Sequence, residues 1–385
     1  VRADFQRFGA IDRFGALDGL RALSVVAVIW HHTSGTPGPA ISAKGYLGVD
    51  FFFAISGFLI TTLLVRERGA TSRISLRKFY ARRVLRIFPL YYAVLLLYIA
   101  LVAATRRHTP EGLAFFHNLP AFATYTSNWF VDLGTRDSVT FFFAWSLATE
   151  EQFYLLWPPL LVAALVIGRR KLWLPIVVLI VLMTISQGAR FFVDTSVPPG
   201  RIPASLSLPI LLGAAAALAA SAPRSFAILA WVLGWTWSAP VAALLLLAGL
   251  EFGAPTQVIE CLMVAVVVSV CLVERTPLHP VLQWRPLAFV GVISYGVYLL
   301  HMLCANMARP VIHQRYGVVL FAATLVTVIV AAYLSFRYFE TPLLRIKRRF
   351  ETEAQRGGDE LTRMSAATPL PNHRPLPGSP PTLTG

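Results

Sequence analysis

The chain has 385 residues, of which 56% are hydrophobic and only 14% charged, and its mean hydropathy is +0.63. These values lie outside the range of soluble globular domains and make lipid the expected solvent for most of the chain. The formal net charge of +15 is carried between apolar runs, where basic residues face cytosol and anionic headgroups, so the expected surroundings are a lipid bilayer and not nucleic acid.

Residues 1–16 read as a short cytoplasmic segment. The first apolar run, Leu20 to Trp30, has the length of a signal-peptide core. It is followed by His31, His32 and a Gly/Pro-rich turn in place of a small-residue cleavage site, and is therefore kept as a mature helix. Ten runs are long enough to cross a hydrocarbon core of about 30 Å. They lie near 17–33, 47–64, 87–104, 144–167, 172–188, 206–222, 225–248, 257–273, 286–305 and 317–337. The expected fold is an all-α integral membrane protein, a bundle of about ten transmembrane helices. The distribution of Lys and Arg between the connecting segments favours both termini inside. Residues 105–143 are apolar but broken by Pro120 and several polar groups, which suggests a re-entrant or interfacial segment. The membrane domain is expected over 17–350, followed by a disordered cytoplasmic tail over 351–385, where the chain turns polar and rich in Pro and Gly.

The first candidate span, LDGLRALSVVAVIWHH, carries Asp18, Arg21, His31 and His32. Ionisable groups at membrane depth are costly, so each is a candidate for function. Arg21 and His32 are eleven residues apart, roughly 16 Å along a helix at ~1.5 Å per residue, and share a face. The alternative is an arginine snorkelling to the inner headgroups and histidines capping the outer end. In the second span, Asp50 lies near the outer end, and the outer histidines are candidate partners for it. Gly48 and Gly57 in the same span read as sites of close helix packing.

The segment RERGATSRISLRKFYARRVLRIF holds eight Lys/Arg against one Glu. If a helix begins at Ser75, then Lys78, Arg82 and Arg86 recur every four residues, with Arg83 three from Arg86, giving a cationic face. Such a face suits phosphate oxygens, because guanidinium offers a planar fork of donors. It equally suits a polybasic collar on anionic lipid. Farther on, WSLATEEQFYLLWPPLL places Ser146, Glu150 and Tyr154 at i, i+4 and i+8, a stripe of one carboxylate and two hydroxyls. With this span running inward, the stripe begins at the level of His32. A carboxylate and an imidazole at matched depth can serve as orienter and base for an alcohol proton. The ninth span adds Ser294, Tyr295, Tyr298 and His301, the last ranked below His32. The last carries Arg337 and Glu340 as anchors. Cys261, Cys271 and Cys304 lie in apolar stretches without CxxC spacing, so no disulfide and no metal site is expected.

In order along the chain, LDGLRALSVVAVIWHH, LGVDFFFAISGFLITTLL, FYARRVLRIFPLYY, WSLATEEQFYLLWP, ISYGVYLLH and FRYFETPLL resemble the blocks of the acyltransferase-3 family of bacterial membrane acyltransferases. The resemblance runs from about residue 14 to residue 345. It implies ten helices with both ends in the cytoplasm, in the bacterial inner membrane. It also implies a cytoplasmic acyl-CoA donor, most commonly acetyl-CoA, and a carbohydrate or glycosylated acceptor at the outer face, a macrolide-type metabolite being an alternative. The family's arginine-then-histidine pattern falls on Arg21 and His32, which implies His32 and not His31 as the base. Its double-arginine pattern falls on Arg83 and Arg86 and implies contact with coenzyme A phosphates, with Arg82 and Arg21 beside them. Its Ser-x-x-x-Glu-x-x-Phe-Tyr pattern falls on Ser146, Glu150, Phe153 and Tyr154. Some members carry a hydrolase-like domain after the last helix; with only a short tail in that place, this domain is expected to act alone. The rival class is a transporter that moves a glycan or metabolite without modifying it.

Overall fold

The computed structural model describes residues 2–11, 14–33, 40–132, 139–169, 171–312 and 317–347. The tail expected to be disordered, 351–385, lies outside the described residues. Every described element is a helix. In chain order these are α1 (Arg2–Ala10), α2 (Gly15–Thr33), α3 (Ala40–Ala43), α4 (Gly48–Thr71), α5 (Leu76–Thr105), α6 (Pro110–Ala123), α7 (Ser127–Phe130) and α8 (Ala144–Ile167). They continue as α9 (Trp173–Phe192), α10 (Pro198–Ala204), α11 (Leu208–Ala220), α12 (Pro223–Leu233), α13 (Ser238–Phe252) and α14 (Thr256–Leu272). The last are α15 (His279–Leu282), α16 (Arg285–Val292), α17 (Ser294–Ala308), α18 (Gly317–Ser335) and α19 (Thr341–Lys347), with a π-helical turn, Phe336–Glu340, between α18 and α19.

Six helical segments among the described residues are long and apolar enough to cross a membrane, and up to nine if bent pairs count as single spans; Thr256–Leu272 is apolar but shorter. Each of the ten sequence runs coincides with helix, yet two of them are not straight. The run 225–248 is α12 and α13, bent by 67°, and 286–305 is α16 and α17, bent by 78°. The described residues of 105–143 hold two short helices, α6 and α7, in place of a long span. Their packing follows from the requirement that backbone groups away from water find partners. Tyr91 and Tyr92 of α5 donate to the carbonyls of Phe122 and Ala123, where α6 ends, at 2.7 and 2.9 Å. Phe115 and Phe122 are fully buried against α5 and its neighbours.

Local chemistry explains the helix starts that set the site. Ser75 caps α5 by accepting from the Lys78 N–H, and Thr109 caps α6 by accepting from the Gly112 N–H with Pro110 at the first helical position, so orphan N–H groups are satisfied. A close helix crossing joins α4 and α11. A Cβ placed on Gly57 would stand 1.9 Å from the Ile210 carbonyl oxygen, and one on Gly213 would stand 2.3 Å from that of Ala54. Only glycine lets the two backbones approach so closely. Gly48 likewise lies against the Ser24 carbonyl of α2, so both glycines of the second span act in packing. Outward faces of α9, α13 and α18 expose Val181, Leu244, Leu245, Val326 and Val330, the pattern of helices that meet lipid.

Candidate active site

Consecutive residues on a helix point about 100° apart, and the last turn of α2 therefore sends its two histidines to different neighbours. The His31 ring packs on Tyr46 with centroids 5.4 Å apart. The His32 ring faces α17, 5.1 Å from the His301 ring, and also touches Phe142. His32 Nδ1 is 3.0 Å from the Val28 carbonyl oxygen and 3.3 Å from His301 Nε2. His301 is fully buried, and its Nδ1 bonds the Tyr298 carbonyl. Arg309 closes this end by donating to the His32 carbonyl at 2.9 Å.

One turn deeper, α8 meets α4 and α17. Residues four apart share a helix face, so Ser146, Glu150 and Tyr154 point together. The Ser146 and Tyr298 hydroxyls are 2.5 Å apart. Glu150 accepts hydrogen bonds from Ser56 of α4 and from Tyr154. Trp157, a turn farther, donates to Thr61 at 2.8 Å and fixes α8 against α4. A small cavity of about 40 Å³ opens here, lined by Arg21, Phe52, Ser146, Glu150, Ser294 and Tyr298 among others. Two of its polar atoms, Arg21 Nε and Ser294 Oγ, are buried without a hydrogen-bond partner. Such atoms carry a desolvation cost unless a ligand or water meets them. The bend between α16 and α17 is what brings Ser294, the first residue of α17, to this wall.

At the opposite end are the cations of α5. The Arg83 guanidinium lies over the Tyr154 ring, 4.8 Å from its centroid, and 5.8 Å from that of Phe79. Arg86 has Arg21, Arg83, Asp18 and Glu340 of the π-helical turn among its electrostatic neighbours. Like charges held this close in a half-buried site favour an anion between them. Arg82 points elsewhere: it forms an ion pair with Glu67 at 3.3 Å, both side chains nearly buried, and Glu67 also accepts from the Ser75 N–H. Its charge is committed to holding the α4–α5 connection.

The structure thus gathers Ser146, Glu150, Tyr154, Arg83, Arg86 and Arg21 along one line and sets His32 at its far end, beyond Tyr298. It does not join all the candidates. Among the described residues, neither Glu150 nor Asp50 hydrogen-bonds to His32; the charged neighbours of Asp50 are Glu260 of α14 and Arg190 of α9. The sequence places Ser294 on the ninth span without giving it a role and ranks His301 below His32; in the structure Ser294 is on the pocket wall and the His301 ring lies beside that of His32. No cluster of three or more His, Cys, Asp or Glu able to hold a metal occurs among the described residues, and the three cysteines are free thiols.

A family model described as an acyltransferase domain matches residues 14–336. "Peptidoglycan O-acetyltransferase OatA" of Listeria monocytogenes is 29% identical over 370 residues, covering 85% of this chain and 55% of the relative. "Putative peptidoglycan O-acetyltransferase YrhL" of Bacillus subtilis is 29% identical over 362 residues, covering 85% and 54%. The chain therefore spans about half the length of these curated relatives. No solved structure gives a significant match.

Proposed function

Because this chain belongs to the acyltransferase-3 family, we propose that it is a multi-pass membrane O-acyltransferase that moves an acyl group, acetyl in the simplest case, from acyl-CoA to a hydroxyl of an envelope carbohydrate. The names of the two relatives point to peptidoglycan as that carbohydrate. We read the bundle as about ten spans with both ends inside a bacterial cytoplasmic membrane, so that α5 begins at the inner surface and α2 ends near the outer one. The single observation that carries the reading is the pocket with its orphaned Arg21 Nε and Ser294 Oγ, set between a cation cluster and an imidazole. A transporter has no need of that pairing.

In this reading Arg83 and Arg86 hold the donor's phosphates, and Arg21, a residue of the pocket wall, steadies the arm that reaches inward. His32 removes the proton of the acceptor alcohol as its oxygen attacks the thioester carbonyl. Ser146 or Tyr298, which share a hydrogen bond at the pocket wall, donates to the developing oxyanion. Glu150, held by Ser56 and Tyr154, keeps Tyr154 in place beneath Arg83 and leaves a polar wall along the donor's path. Purified protein given radiolabelled acetyl-CoA and a peptidoglycan fragment should transfer label to the fragment. His32→Ala should abolish transfer while preserving insertion and thermal unfolding. Near-normal turnover in His32→Ala, with loss in His31→Ala, would assign the base to the wrong neighbour.

A further inference from the structure

The two backbone carbonyls that meet the imidazole pair fix where its protons lie. A carbonyl oxygen can only accept, so a ring nitrogen bonded to one must carry hydrogen. His301 Nδ1 bonds the Tyr298 carbonyl, and neutral His301 is therefore left with a bare Nε2. His32 Nδ1 bonds the Val28 carbonyl at 3.0 Å, and this nitrogen too carries hydrogen. The contact of 3.3 Å between His32 Nδ1 and His301 Nε2 then has a determined sense: the same Nδ1–H, shared in a three-centre bond with the nearer Val28 carbonyl, points to His301, which accepts. His32 Nε2 is left with its lone pair. Two further features hold His301 in this role. It is fully buried, with Phe143 against its ring at 5.4 Å, and its own helix supplies the carbonyl three residues back that sets its tautomer.

We infer that His301 is the positioning residue of the base, joining the Val28 carbonyl in holding His32 as the Nδ1–H tautomer and accepting from that N–H while Nε2 works. The inference rests on the proposed role of His32. In the forward step His32 Nε2 takes the hydroxyl proton, the alcohol oxygen bonds to the thioester carbonyl carbon, and the carbon–sulfur bond breaks. The same nitrogen returns the proton to the departing thiolate. Throughout, the extra positive charge on the His32 ring is shared with a neutral acceptor at Nδ1. This is the part that a carboxylate takes in hydrolase triads, here taken by a second imidazole on α17. A neutral acceptor adds no charge of its own to the membrane interior, where an isolated carboxylate is costly.

Two amides of equal polarity and different reach test the assignment. His301→Gln places an amide oxygen near the former Nε2, whereas His301→Asn can satisfy the Tyr298 carbonyl but falls short of His32. His301→Gln should keep kcat within about fivefold of the parent. His301→Asn should lose at least about tenfold in kcat, short of the roughly 10⁴-fold that follows loss of a charged orienting group, with the KM for acetyl-CoA unchanged in both. Equal turnover in the two variants overturns the inference. Should neither variant fold, histidine labelled with nitrogen-15 in the parent chain carries the test. The signal that disappears in His32→Ala must show hydrogen on Nδ1 and a bare Nε2; the opposite tautomer overturns the inference. Full turnover by His32→Ala is a different outcome, which removes the base itself and with it the proposed function.

Discussion

Arg82 is paired with buried Glu67, while the adjacent Arg83 lies over the ring of Tyr154, so substitutions at the two positions should separate stability from binding. Arg82→Ala strands a carboxylate whose side chain is 4% exposed, and removing one partner of a buried pair costs about 3–5 kcal/mol. Thermal unfolding should therefore fall sharply, with the donor KM of the folded fraction unchanged. Adding Glu67→Gln to Arg82→Met should recover most of the loss, because no unpaired charge then remains. Arg83→Ala should leave unfolding nearly unmoved and raise the donor KM by about 10- to 100-fold, as expected for losing a charge-assisted contact worth ~1.5–3 kcal/mol. An unchanged KM would return Arg83 to the role of a lipid-facing cation. The sequence alone groups these arginines on one cationic face, since helical spacing reports direction along a single helix. What it leaves out is Glu67, fifteen residues back on α4 and folded against Arg82 by the Ser75 turn. His301 is hidden for the same reason: its partner lies 269 positions away, and nothing local in either segment announces the pairing.

At the scale of elements, the apolar runs are legible because the length of a span is fixed by the bilayer and its composition by the lipid. Their bends are not legible, because a helix that turns by 67° or 78° keeps the same apolar content on both sides of the break. The contact between α4 and α11 is intermediate. Gly57 is recognisable as a packing glycine, but its partner is set by the fold. The facing atom is a backbone oxygen that cannot rotate away, and Ser56, which donates to Glu150, is the next residue. Gly57→Ala must therefore push α4 from α11 and disturb the site together. Its matched control is Gly69→Ala on the same helix, where an added Cβ meets nothing within 4 Å. The control should be neutral or stabilising by up to about 1 kcal/mol, the helix propensity gained. In the same detergent Gly57→Ala should unfold several degrees lower and turn over more slowly. Equal unfolding temperatures would mean that the crossing is looser than the backbone distances require.

Across the whole molecule, a polar line runs through an otherwise apolar bundle, from Arg86 and Arg83 through Tyr154 and Glu150 to the pocket, then by way of Ser146 and Tyr298 to the two imidazoles. Tyr298 belongs to both halves: its ring is part of the pocket wall and lies 5.3 Å from the His301 ring. Burying this many polar groups in lipid is costly unless they are satisfied or put to use, and most of them are satisfied by one another. Two that are left without a partner, Arg21 Nε and Ser294 Oγ, coincide with the cavity. If the thioester travels this way, its passage and the docking of its phosphates are separable. Ser294→Phe fills the pocket beside the α16–α17 bend without touching Arg83 or Arg86. Transfer from acetyl-CoA should drop by at least about tenfold, while adenosine 3′,5′-bisphosphate, which carries phosphates but no arm, should bind as it does to the parent chain. Loss of both would mean that the substitution distorts the cation cluster. Retention of both would mean that the donor reaches His32 by another route, leaving the pocket as a space enclosed by packing.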